Sequence, residues 1–206
     1  MSRGICCIDA VLRPLCNRDW LIRLEEGPDN VKETYMGETR FDLSAANAET
    51  RIRLVAALRG KGAHLSFDDA IHDFPADIMN EKPNNVPYSF WHQLEHIRIT
   101  QWDILKYIAD PNHRSPEWPA GYWPAQSARA DGAAWQKTLK QYHADLNALV
   151  ALVEDPAAEL LAPVAHMENR SIMRSTMIIV DHTAYHLGEF VMARQILGYW
   201  KSELSS

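Results

Sequence analysis

The chain has 206 residues, enough for one good core and short for two, and its 47% hydrophobic and 23% charged content is that of a globular protein. Its 27 acidic and 21 basic residues give a net charge of −6, and the basic ones are scattered, which argues against a nucleic-acid partner. No apolar run approaches the roughly 20 residues of a membrane span. The stretch from Met177 to Val180 is broken at once by Asp181 and His182, and no cleavable leader is discernible, so a cytoplasmic location is expected.

Residues 1–40 carry no sustained helical or strand period. They hold all three cysteines, Cys6, Cys7 and Cys16, whose spacing fits neither a disulfide framework nor a zinc pattern. The expectation is a poorly patterned N-terminal extension over 1–40 ahead of a helical domain over 41–206, with the native start near Met36.

The first periodic segment runs from about Ser44, as N-cap, to Arg59, with Gly60 and Gly62 as its stop and Ile52, Val55, Ala56 and Leu58 as a modest stripe. A short helical piece follows, capped by Ser66 with Asp69 three residues on and closed by Pro75. A long helix is predicted from Ser89 to near Ala109, before Asp110-Pro111, with apolar positions on more than one side. Residues 111–130 form one long loop with four prolines and Trp118, Tyr122 and Trp123 among them. Such a loop caps a site or seals an end of the core. The next helix, Asp131 to Glu154, repeats Trp135, Leu139, Tyr142, Leu146, Leu149 and Val153 at steps of four and three. Asp155-Pro156 is expected to open a short helical turn. The last helix, Ser171 to about Leu197, is apolar nearly all round and stops at Gly198. With no alternating strand segment, the pattern predicts an all-α fold: a four-helix bundle with short extra helices and a long Pro/Trp-rich loop.

The last helix carries DHTAYHLGE, in which His182 and His186 stand at i and i+4. Such residues lie about 40° apart on successive turns, so both imidazoles can reach one ion. The metalloprotease glutamate is absent from between them, so this is not a zincin. The preceding long helix offers His92 and His96 at the same spacing, and helix geometry leaves either as a third ligand. Burial favours His96, because His92 lies in the first turn, nearer solvent. Asp103 and Glu189 return to the histidine faces, where carboxylates act as partners of ligating imidazoles or as ordinary ion-pair residues. Tyr185 joins them as a group that could position a reactant.

The segments WHQLEHIRITQWDIL and IVDHTAYHLGEFVMARQILGYW, with the loop SPEWPAGYWP, resemble the DinB/YfiT-like family over roughly Ala45 to Trp200. The resemblance implies a four-helix bundle with a three-histidine metal site, with His96, His182 and His186 as the ligands and His92 at a variable position. It leaves His64, His72, His113, His143 and His166 as surface or loop residues. It implies a homodimer, and a reaction of the kind known for relatives that are metal-dependent transferases or an isomerase using a low-molecular-weight thiol.

Three neutral imidazoles suit a divalent ion such as zinc or nickel, and three protein ligands plus an open position is the catalytic arrangement. That arrangement suits activation of water or of a thiol, and the resemblance makes thiol-dependent S-transfer to a small electrophilic substrate the expected function. A metal-dependent hydrolase and a non-catalytic, stress-related metal-binding bundle are the alternatives.

Overall fold

Side-chain oxygens ahead of apolar runs set where the helices begin. The computed structural model describes residues 43–164, 166 and 170–200, so the expected extension over 1–40 and the start near Met36 lie outside the described residues. The helices are α1 (Leu43–Leu58), α2 (Phe67–Ile71), α3 (Phe90–Ala109), α4 (Gly132–Glu154) and α5 (Ile172–Ile196). Ser66, Ser89, Asp131 and Ser171 each accept the backbone N–H three residues on, occupying a donor that the helix leaves unpaired. Gly60 and Gly198 end α1 and α5 at φ of 67° and 79°, where a side chain would be strained.

Several local expectations need correction. Ser44 lies inside α1 rather than capping it. Ile52 is 60% exposed, while Leu54 and Leu58, one turn apart, are buried; Ile52 is about 200° round the helix from Leu54. α2 ends at Ile71, before Pro75, and residues 76–78 form a separate 3-10 turn. Asp155-Pro156 opens a single turn, as expected, closed by Ala158 N donating to the Asp155 carbonyl at 3.0 Å, and Arg51 grips the carbonyls there. Its Nη1 donates to those of Val153 and Asp155 at 2.7 Å and its Nη2 to that of Ala158 at 2.6 Å. α5 is buried on one face only, with Met177 at 54% and Ile178 at 40% exposure.

Among the described residues there is no strand, only an isolated bridge between Pro163 and Ser171. No described helix is long and apolar enough to cross a membrane. α3 and α1 each pack against both α4 and α5, so the ring order is α1, α4, α3, α5, with α1 and α3 across a diagonal. The fold is thus the all-α bundle expected from the periodicity. Leu94 and Ile97 of α3, Leu149 and Val153 of α4 and Phe190 of α5 are fully enclosed. Truncating one such leucine to alanine costs about 2–5 kcal/mol. Phe74 joins Phe90, Trp135 and Phe190 in an aromatic cluster with centroids 4.8–5.4 Å apart. That cluster fixes α3 against α5, and the histidines stand in the contact between those two helices.

Candidate metal centre

His96, on α3, is completely buried. Its Nδ1 lies 2.8 Å from the Tyr122 carbonyl oxygen, which can only accept. Nδ1 therefore carries the proton and Nε2 a lone pair. That Nε2 faces Nε2 of His182 at 3.0 Å and Nε2 of His186 at 3.2 Å. His186 is fixed in the same way: its Nδ1 donates to Glu189 Oε2 at 2.8 Å, leaving a lone pair on Nε2 in the neutral ring.

Lone pairs aimed at each other across 3.2 Å repel unless a cation lies between them. A proton is a poor candidate. Burial pushes His96 down to about 4, against the opposing pull of the Tyr122 carbonyl, and burial with the neighbouring rings pushes His182 down to about 2. A tetrahedral ion with metal–nitrogen bonds of about 2.05 Å holds its nitrogens about 3.3 Å apart. The separations from His96 Nε2 to the other two nitrogens, 3.0 and 3.2 Å, are close to that, and the three rings' ligand atoms all lie within 4.8 Å of one another. The donor set fits one divalent ion.

Glu189 is the hub behind His186. Its Oε2 also accepts from the Tyr88 hydroxyl at 3.2 Å and the Gln93 side-chain amide at 3.4 Å. Burial pushes this carboxyl up, but hydrogen bonds from His186, Tyr185 and Tyr88 outweigh burial and hold it below the ordinary range. It stays an anion beside the His186 ring, which raises the basicity of an imidazole.

The structure brings His96, His182 and His186 together and leaves His92 apart, though not for the reason of burial. His92 is 5% exposed, so it is buried too. Both its nitrogens are spent elsewhere: Nδ1 accepts from the Ser89 hydroxyl at 2.6 Å and Nε2 donates to the Ala125 carbonyl at 3.0 Å. It completes the cap of α3 and ties down the loop. Tyr185 packs edge-on against His186, with ring centroids 5.0 Å apart, and is 54% exposed at the rim. Asp103 touches none of the three histidines. Its two oxygens take the Tyr122 hydroxyl at 2.6 Å and His113 Nε2 at 2.7 Å. Asp103 thus acts through Tyr122, whose other end holds His96, and His113 is an enclosed loop residue rather than a surface one.

The long loop closes over the site, with a 3-10 turn over Ala120–Tyr122 within it. Gly121 permits this path, since a Cβ there would lie 2.6 Å from Pro116 Cβ. Trp123 stacks on His96, centroids 3.8 Å apart and planes 7° apart, and Tyr88 stacks on Trp123. Tyr88 and the Tyr122 carbonyl are contributors that the sequence pattern did not single out. The only signal for Tyr122 was the aromatic density of the loop. A main-chain carbonyl has no residue type to read.

Among the described residues no carboxylate or thiol joins the three histidines as a fourth ligand. His182 is the partly exposed member of the set. Residues 63–190, more than half of the chain, match the family model described as DinB superfamily. No curated protein and no solved structure matches the chain at significance.

Proposed function

The chain belongs to the DinB superfamily, and on that premise we propose that it is a metal-dependent enzyme joining a small thiol, through its sulfur and with loss of the thiol proton, to a small electrophile. His96, His182 and His186 hold the ion. A divalent ion on three neutral imidazoles supplies an uncompensated double charge that lowers the pKa of a thiol or water bound beside it. The observation that carries the reading is the pair of fixed tautomers, with Tyr122 and Glu189 directing the lone pairs of His96 and His186 at one point.

The chain's own groups supply the rest. Glu189 holds the proton on His186 Nδ1, and the Tyr122 carbonyl holds that on His96 Nδ1. Trp123 covers one face of His96 and excludes water there. Tyr185, exposed beside His186, lines the side from which an electrophile approaches. The absence of a fourth protein donor among the described residues supports catalysis over a purely structural ion.

The test is to load the protein with zinc or nickel and incubate it with low-molecular-weight thiols and monochlorobimane. Conjugation above the uncatalysed rate, lost in His186→Ala, is the expected result. No rate above background with any thiol overturns the transferase reading.

A further inference from the structure

Beside the contact between α3 and α5 lies a cavity of about 450 Å³, in the size range of small-molecule sites. Its walls are polar and cationic. Arg114 and Arg170 line it, and among the described residues neither is paired with a carboxylate. The one acid among the described lining residues, Asp103, is 5% exposed and already has a donor on each oxygen, from Tyr122 and from His113. Those hydrogen bonds hold its single charge at the wall, where the two guanidiniums outnumber it among the described lining residues.

The remaining groups suit an anion. Ser115 hydrogen-bonds with the Tyr122 hydroxyl, and Ser175 is a buried hydroxyl in the lining. Arg170 is steadied in two ways: its guanidinium lies over the Tyr107 ring, 5.5 Å from the centroid, and its carbonyl accepts from Val164 N at 2.8 Å. It also immediately precedes Ser171, the cap of α5, so the positive end of that helix dipole adds to its charge.

The cavity is in register with the histidines. Asp103 lies seven residues beyond His96 on α3, and Ser175 lies seven residues before His182 on α5. Both offsets are about two turns, or about 10 Å along the bundle. Tyr122 belongs to both places, its side chain in the cavity wall and its carbonyl on His96.

We propose that this cavity is an anion subsite that binds the carboxylate or phosphate of a small organic molecule whose reacting end reaches the three histidines. Arg114 and Arg170 are its charge partners, with guanidinium geometry suited to either oxyanion. Only the role of the reacting end rests on the proposed function; the anion site stands on its own residues.

The full-length protein, free of metal, is titrated by calorimetry with inorganic phosphate and separately with succinate, which tells the two oxyanion chemistries apart. Saturable binding of either one at up to about 10 mM is expected. Arg170→Gln and Arg114→Gln should each weaken it by roughly tenfold, and Arg170→Lys by less. His186→Ala should leave it unchanged, so a failed thiol assay and a failed anion site are told apart. Both arginines are exposed, so the variants should keep the wild-type circular dichroism. No saturable binding of either anion, or binding that survives intact in the double arginine variant, overturns the proposal.

Discussion

The indole of Trp123 lies flat on the imidazole of His96, 3.8 Å between centroids. An ion taken up at His96 Nε2 therefore sits within a few ångströms of one tryptophan among the chain's 7. One equivalent of nickel or copper should quench part of the tryptophan emission. Most of that change should vanish in Trp123→Phe, with metal stoichiometry kept. Equal quenching in both proteins would contradict the arrangement.

His92 and His186 should separate cleanly. His186→Ala removes a donor and should abolish metal uptake in elemental analysis of protein prepared without a His-tag column. His92→Ala should still take up one equivalent. It loses the Ser89 cap partner and the tie to the Ala125 carbonyl, so stability in urea should fall by about 1–2 kcal/mol.

Glu189→Gln keeps the shape of the carboxylate but removes the anion that His186 Nδ1 addresses. Metal affinity should drop by about 10- to 100-fold, read by competition with a chelator. Unchanged affinity would mean that the other donors to Glu189 hold His186 in place without its charge.

Acid should destabilise the metal-free protein early. His96 and His182 are held neutral by burial, at about 4 and about 2. The unfolded chain takes up their protons below about 6.5 and the folded chain does not, so the folded state loses ground as pH falls from there toward 4. Denaturation midpoints of metal-free protein at descending pH should fall across that window, and less steeply in His96→Gln. A flat profile down to pH 4 would show that these rings titrate freely.

Much of this was legible where the chemistry is local. Ser66, Ser89, Asp131 and Ser171 announced helix starts because a cap involves residues three apart. The i, i+4 rule paired His182 with His186 for the same reason. Position in the helix misjudged His92, because burial does not distinguish it from His96. The difference lies in what each ring meets, Ser89 and Ala125 in one case and Tyr122 in the other. Asp103 was assigned by angle around α3, and angle says nothing of the two turns along the axis that separate it from the histidines. The Tyr122 carbonyl is backbone, so its role depends on where Gly121 lets the loop run.

The Tyr122 carbonyl on His96 has a consequence for how an ion would come and go. Two of the three rings are aimed by the protein's own hydrogen bonds, so the donors stand preorganised, unlike a zinc finger that must fold around its metal. Exchange of one ion for another then needs no refolding. Imidazole nitrogens accept zinc, nickel, copper and iron alike, so occupancy follows the supply of ions around the protein.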